Sequence, residues 1–270
     1  QSIRLGDTDI SEFTICYDPY LENPYGYMAG ELRRYIAATC GAVLTVYRGV
    51  PEQENHLILL GPIEGNPDVE DTLGEDGIYI EYSDGVLHLT GQGTRGPVYA
   101  AFTFLEEYLG WRFFTKDLET CKQQDRIEIP EGLKYTYTPP FSFRQTLWES
   151  TLDTTYSAKR KLNVQSGIEL GLSLPPRYGK GIRYVKDLGQ HTFDDLITKN
   201  EYPDHPEYFA DLVGDGSIPA GTEPRAGMEE LCLTNPDVLD IVIEKVASWL
   251  RTEEDPRLIS ISQNDNIDAY

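Results

Sequence analysis

Residues 1–139 alternate short β-branched runs with two amphipathic stretches. FTIC, VLTVY and HLILLG predict strands, and GIYIEY and VLHLTG flank Ser83-Asp84-Gly85, which predicts a β-hairpin. Apolar residues recur at helical spacing over residues 25–39 and 97–109, and a glycine follows each stretch. The resulting order, β-α-β-β-β-β-α, predicts an α+β domain with two helices packed on a largely antiparallel sheet.

A change of pattern follows YTYTPP, which ends in two consecutive prolines. Proline continues neither a helix nor a central strand, so we predict a domain boundary there, between residues 1–139 and 140–270. Beyond it FSFRQTLW, NVQSGI, RYVKDLGQH and LISISQND predict strands, and residues 202–224 form a long insertion rich in Gly, Pro and Asp. Residues 236–250 predict a helix capped by Asn235. Alternating strands and helices predict a parallel sheet.

The charge of the chain narrows the choice of partners. Its 23 Lys and Arg residues stand against 45 Asp and Glu residues, which gives a formal net charge of −22. Neither half offers the basic surface that nucleic acid or an anionic membrane requires. No apolar run reaches the about 20 residues of a membrane span. We therefore expect neither nucleic-acid binding nor membrane insertion.

The cysteines do not predict a metal site. The chain has four, Cys16, Cys40, Cys121 and Cys232, without a CxxC pair. Four cysteines are too few for disulfide bonds to stabilise a fold of this size. In addition, no set of His, Cys and carboxylate residues has the spacing of zinc ligands. We expect free thiols, no metal and no cofactor.

One motif resembles a dinucleotide fingerprint by its letters. Gly91-Gln92-Gly93-Thr94-Arg95-Gly96 follows a predicted strand and precedes a predicted helix. However, the preceding strand is the second arm of a hairpin, whose neighbour is antiparallel, whereas the fingerprint needs a parallel βαβ unit. Pro97 also removes an N–H from the start of the helix. We interpret the glycines as shaping a strand-to-helix turn.

Several segments together resemble bacterial glycoside hydrolases. TRGPVYAAFTFLEEYLGWRFF is similar to the small α+β domain that precedes the barrel in β-hexosaminidases of glycoside hydrolase family 20 and in α-glucuronidases. PPFSFRQTLWE, KLNV, LGQHTF and LTNPDVLDIVIEKVASWL with LISISQND resemble the first four strand regions of their catalytic barrel. HPEYFADLVGDG, LCLTNP and SQNDN resemble, more narrowly, glycoside hydrolase family 163. This resemblance implies a (β/α)8 (TIM) barrel after the first domain, and endo-β-N-acetylglucosaminidase action on N-acetylhexosamine-containing glycans.

The resemblance also implies catalytic residues at the end of the fourth strand. Asp265 matches the general acid, and Asn264 stands where family 20 has an Asp that orients the substrate acetamido group. A neutral Asn can hydrogen-bond this amide but cannot offset positive charge, which is a departure from the family pattern. The alternative is that Asn264-Asp265-Asn266 is a polar turn closing a strand.

Four further residues are candidates for substrate binding, each with a structural alternative. Arg144 matches the arginine that grips the sugar in the −1 subsite, and otherwise forms a buried ion pair. His191 matches a subsite residue, and otherwise is a hydrogen-bonded histidine near the core. Trp148 offers a stacking surface for a sugar ring or belongs to the core. Glu149 is a reserve acid or base.

Residues 140–270 provide about half of a barrel, which takes about 250 residues. We therefore expect the remaining half barrel in a longer protein, and little or no hydrolase activity from this chain alone. The resemblance implies a secreted, periplasmic or cell-surface location. Two alternatives remain open: a catalytically silent carbohydrate-binding or scaffold module, and an α-glucuronidase-like hydrolase that prefers uronic acids.

Overall fold

The structure is a computed structural model, which describes residues 1–146, 148–165, 174–210, 230–255 and 257–264. The chain forms two compact units, each treated by itself. The N-terminal unit is Gln1–Val164 with Leu172–Gly181, and the C-terminal unit is Gln165–Gly171 with Ile182–Tyr270. The domain limits predicted from the sequence, 1–139 and 140–270, stay a prediction.

The N-terminal unit carries most of the regular structure. Its strands are β1 (Ser2–Leu5), β2 (Thr8–Asp9), β3 (Thr14–Tyr17), β4 (Thr45–Arg48), β5 (Leu57–Leu60), β6 (Ile78–Ser83), β7 (Val86–Gly91), β8 (Trp111–Phe113), β9 (Glu119–Cys121), β10 (Arg126–Ile129) and β11 (Leu133–Tyr137). Its helices are α1 (Tyr27–Cys40), α2 (Gly96–Glu107) and α3 (Thr154–Lys159). Strand β12 (Val164–Gln165) follows where this unit ends.

The main sheet is mixed, with strand order β11-β6-β7-β5-β3-β4. Strands β3 and β4, β3 and β5, and β5 and β7 pair parallel, whereas β6 pairs antiparallel with both β7 and β11. The expectation of a largely antiparallel sheet is therefore wrong. Helix α1 joins β3 to β4 as a crossover, and a crossover permits parallel neighbours. The α+β class itself is confirmed.

Both helices predicted in this unit are present, and so is the hairpin. Helix α1 buries Met28, Leu32 and Ile36 against the sheet and ends at Gly41, whose φ of 83° is typical of a helix C-terminus. Helix α2 is buried from Gly96 to Glu106, so it forms the centre of the core rather than a surface layer.

The predicted turn between β6 and β7 is confirmed by its backbone angles. Asp84 and Gly85 have φ values of 50° and 79°. Two successive residues with positive φ are typical of the two-residue hairpin turn that suits the twist of the flanking strands. An aspartate followed by a glycine adopts these angles at low cost, which is why the sequence signal was specific.

The C-terminal unit has less regular structure in its described part. It contains β13 (Ile182–Arg183), α4 (Phe193–Leu196) and α5 (Pro236–Thr252). Helix α5 begins as predicted, because the Asn235 side chain accepts a 2.9 Å hydrogen bond from the Asp237 N–H. None of the described helices has both the length and the apolar composition needed to cross a bilayer.

Three predicted strands differ from the structure. Residues 141–146 are irregular, and within them the Arg144 guanidinium donates a hydrogen bond to the Phe141 carbonyl. RYVKDLGQH contains a 3-10 turn, Val185–Asp187, in place of a continuous strand. In the described part of LISISQND, residues 258–264, Leu258 forms a parallel bridge with Tyr184 and no continuous strand is present. Parts of NVQSGI and of the insertion at 202–224 lie outside the described residues.

Candidate functional site

In the N-terminal unit, the Arg144 guanidinium donates hydrogen bonds to one carboxylate and to two main-chain carbonyls. Its Nη2 donates to Oδ2 of Asp76 at 2.6 Å, its Nε to the Lys161 carbonyl at 2.6 Å and its Nη1 to the Phe141 carbonyl at 2.7 Å. The Arg144 side chain is 13% exposed. The structure thus shows the ion pair that the sequence left as an alternative, and a role of Arg144 in sugar binding stays a prediction.

The partner of Arg144 was not anticipated from the sequence. The Asp76 carboxylate, only 2% exposed, also accepts hydrogen bonds from Arg95 Nε and from Asn163 Nδ2, both at 2.9 Å. Two guanidinium groups and one amide therefore compensate the desolvation of this carboxylate. Asp76 precedes a glycine in a loop, so its sequence context predicts only a turn.

Trp148 and Glu149 lie at the surface of the same unit. Trp148 is 51% exposed and contacts the Tyr156 ring edge-on, with 5.8 Å between ring centroids. Glu149 is exposed and begins the 3-10 turn Glu149–Leu152. The Trp148 indole is therefore not a core residue, and its exposed face is accessible to a ligand. Sugar stacking by Trp148 and acid or base action by Glu149 stay predictions.

The G-x-G-x-x-G motif forms a strand-to-helix turn. Strand β7 is antiparallel to β6 but parallel to β5 on its other side, so the antiparallel neighbour was an incomplete argument against nucleotide binding. A stronger one is Glu70, whose carboxylate accepts hydrogen bonds from the Gly93 N–H and from Gln92 Nε2 at 3.0 and 3.1 Å. A carboxylate at this turn repels a phosphate.

In the C-terminal unit, two segments far apart in sequence meet at His191. The His191 Nδ1 lies 3.3 Å from the Gln263 carbonyl, and the Thr192 N–H donates to the Ser262 carbonyl at 3.0 Å. The Ser262 N–H in turn donates to Thr192 Oγ1 at 2.9 Å. His191 has a φ of 54°, a conformation that non-glycine residues rarely adopt and that clusters at functional sites.

Asn264 lies beside this junction and is 3% exposed. Its Nδ2 donates a 2.7 Å hydrogen bond to Oδ1 of Asp194, an exposed residue of α4. The structure thus brings together two predicted site residues, His191 and Asn264. Asp265, the predicted general acid, lies outside the described residues.

Glu230 joins the same group and was not predicted. Its main-chain carbonyl accepts a 2.8 Å hydrogen bond from the Ala210 N–H, and Leu231 forms an antiparallel bridge with Phe209. Its carboxyl group accepts a hydrogen bond from the Asn264 backbone N–H. One of 45 acidic residues, Glu230 has no local sequence signal that distinguishes it.

Burial raises the pKa of Glu230, and the nearby negative charge of Asp194 raises it further. The Asn264 N–H and the His191 imidazole act in the opposite direction, but the net direction is upward. We call His191, Asp194, Glu230 and Asn264 the Glu230 cluster. It contains one exposed and one partly buried carboxyl group, and such unequal environments are typical of acid–base sites.

The Glu230 cluster combines ionisable side chains with a neutral hydrogen-bonding amide. Within the described ranges, no three His, Cys, Asp or Glu side chains are grouped so that they could hold a metal ion. His191, Asp194 and Glu230 each hold or release a proton, and the Asn264 amide is a neutral hydrogen-bonding group. Side chains of these types can take part in general acid–base chemistry.

The chain has an α+β fold with mixed sheets. A family model described as Domain of unknown function (DUF4838) matches residues 113–270, which is more than half of the chain. The chain therefore belongs to the DUF4838 family. None of the curated proteins matches it.

Proposed function

We propose that this chain is part of a glycoside hydrolase of the family 163 type. The enzyme acts on N-acetylhexosamine-containing glycans in an endo-β-N-acetylglucosaminidase-like manner. The observation that carries the proposal is the Glu230 cluster, in which His191 and Asn264 meet two carboxyl groups. Glycoside cleavage needs one carboxylic acid to protonate the leaving oxygen and a second group to stabilise the oxocarbenium-like transition state.

The location of the cluster also supports the proposal. Asn264 directly precedes Asp265, the residue to which the resemblance assigns the catalytic acid. The parallel bridge between Tyr184 and Leu258 is the pairing expected of neighbouring strands in a (β/α)8 barrel. We therefore propose that residues 140–270 begin such a barrel and that the catalytic residues lie near the ends of its strands.

The charge of the protein and the exposure of Trp148 are compatible with this substrate class. A formal net charge of −22 does not repel a neutral oligosaccharide, whereas it disfavours a polyanion. The half-exposed Trp148 ring offers an apolar surface of the kind that carbohydrate C–H faces stack on. We propose a secreted, periplasmic or cell-surface location, where such glycans occur.

The test uses the full-length protein that carries this chain and an N-glycan with a fluorescent label on its reducing end. Release of labelled product and glycan binding are measured for the wild type, for Asp265→Ala and for Glu254→Gln, an exposed control residue beyond α5. Loss of release with binding retained in Asp265→Ala supports the proposal. Absence of release from the wild-type protein contradicts it.

One observation favours a second candidate, a catalytically silent carbohydrate-binding module. The Asn264 amide is engaged by Asp194 within the protein, and Asn264 replaces the carboxylate that family 20 uses. A module of this kind binds the glycan with the same affinity in the wild type and in Asp265→Ala and releases no product in either. The same measurements therefore separate the two functions.

A further inference from the structure

Glu230 has a fixed backbone but an incompletely paired side chain. The Glu230 carbonyl accepts from the Ala210 N–H, and the Cys232 N–H donates to the Tyr208 carbonyl, both at 2.8 Å, on either side of the Phe209–Leu231 bridge. This short antiparallel pairing sets the direction in which the Glu230 side chain leaves the backbone.

The carboxyl group of Glu230 carries one buried oxygen without a partner. Among the described residues, Oε1 of Glu230 makes no hydrogen bond, while the carboxyl group does accept from the Asn264 N–H. A buried polar atom left unpaired costs about 1–3 kcal/mol, and a role in binding or catalysis is one explanation for such an atom. Protonated, a carboxyl oxygen is a hydrogen-bond donor that can act on a bound ligand.

The neighbours of Glu230 favour its protonated form. Burial is the largest influence and raises its pKa, and the Asp194 carboxylate adds to this effect. His191 and the Asn264 N–H favour the ionised form, so the group stays able to release its proton. Burial and Asp194 thus favour the proton on Glu230, whereas His191 and the Asn264 N–H stabilise the carboxylate that remains after transfer.

We infer that Glu230 is the proton donor of the active site, a role that the family resemblance gives to Asp265. This inference rests on the proposed glycosidase function. Glu230 transfers its proton to the glycosidic oxygen while the bond from that oxygen to the sugar C1 breaks, and the bonding electrons go to the oxygen. Water then adds to C1, and its proton returns to the Glu230 carboxylate.

This assignment leaves a different role for Asp265. With the proton on Glu230, the proposed mechanism leaves Asp265 to stabilise positive charge on the sugar, a role that the neutral Asn264 does not fill. The two roles have different kinetic signatures. A leaving group that departs as a stable anion needs no proton, but it still needs stabilisation of the positive charge on C1.

The experiment compares Glu230→Gln and Asp265→Asn in the full-length protein, with Glu254→Gln as control. The substrates are a labelled N-glycan and aryl glycosides of the same glycan, in which phenols of increasing acidity replace the leaving sugar. We expect Glu230→Gln to lower kcat/KM about 100-fold or more on the glycan and less than tenfold on the dinitrophenyl glycoside. Asp265→Asn is expected to lower kcat/KM on all substrates.

The pH profile provides a second measurement that does not require Glu230 to be replaced. In Asp194→Asn the negative charge that raises the pKa of Glu230 is absent, so the basic limb of the kcat/KM profile is expected to move to lower pH. Equal losses of Glu230→Gln on all aryl glycosides, or an unmoved basic limb in Asp194→Asn, would overturn the assignment. A wild-type protein that cleaves no substrate contradicts the proposed function itself.

Discussion

The side-chain amide of Asn264 donates a hydrogen bond of 2.7 Å to Asp194, 70 positions earlier in the chain. Because Asn264 is 3% exposed, this bond fixes the orientation of its amide and connects the end of the described chain to α4. Replacing Asn264 by Asp places two carboxylates in contact. We expect Asn264→Asp to lower the free energy of unfolding by about 1–3 kcal/mol at pH 8.

Repulsion between the carboxylates at positions 194 and 264 determines how the stability of Asn264→Asp changes with pH. When two carboxylates are adjacent, the charge of one raises the pKa of the other. The folded variant therefore binds a proton more tightly than its unfolded chain does. The stability deficit of Asn264→Asp is therefore expected to shrink as the pH falls from 8 to 5, in urea unfolding curves. The control is the double variant Asp194→Asn with Asn264→Asp, which exchanges donor and acceptor. A double variant no more stable than Asn264→Asp would contradict this account.

The backbone conformation of His191 allows a separate prediction about the stability of variants at this position. At its φ of 54°, a residue with a Cβ is strained by about 1 kcal/mol, whereas glycine is not. We expect His191→Gly to be as stable as the wild type or more stable, and His191→Ala to be less stable than His191→Gly by about that amount. Both variants are expected to lose glycan release, because both lack the imidazole. If His191→Gly is the less stable variant, strain at this position is not the controlling factor.

The elements that the sequence predicted well are those in which local chemistry decides the structure. Gly41 ends α1, Asn235 caps α5, and Asp84 with Gly85 makes the hairpin turn; in each case a single residue type satisfies a backbone requirement. The parallel pairing of β7 with β5 has no such local signal, because it depends on where the hairpin docks in the sheet.

The candidate site was predictable only in part, for the same reason. His191 and Asn264 could be singled out from flanking segments that resemble a family, and the structure brings them together. Asp76 and Glu230 have no such flanking pattern, and their importance comes from burial and from partners that are distant in sequence. An acidic residue in a chain with 45 of them is identified only by its three-dimensional environment.

Replacement of Asp76 is expected to have a large effect on the stability of the protein. Its carboxylate binds Arg95 and Arg144, whose side chains are 12% and 13% exposed. Removing one partner of a buried ion pair leaves uncompensated charge and costs about 3–5 kcal/mol. We expect Asp76→Ala to lower the free energy of unfolding by this amount in urea titrations.

Glu75 provides the matched control for Asp76. It contacts the same Arg95, at 3.4 Å, but its own side chain is 30% exposed. A solvent-screened pair contributes about 0–1 kcal/mol, so Glu75→Gln is expected to change stability little. Similar losses in the two variants would show that burial of the Asp76 carboxylate is not what matters.

The glycines between the end of β7 and the start of α2 allow a prediction about close packing. A Cβ added at Gly91 would lie 2.2 Å from the Gly77 carbonyl oxygen and 2.6 Å from the carbonyl carbon of Gly96, so two backbone segments would have to move apart. We expect Gly91→Ala to destabilise the N-terminal unit by about 3 kcal/mol, since backbone does not yield as a flexible side chain does.

Gly93→Ala is the control. The φ of Gly93 is 64°, but a Cβ at this position would meet nothing within 4 Å, so only about 1 kcal/mol of backbone strain is expected. Urea unfolding of the two variants measures the difference, and an equal loss in both would mean that the close approach of Gly77 and Gly96 is not what requires glycine at position 91.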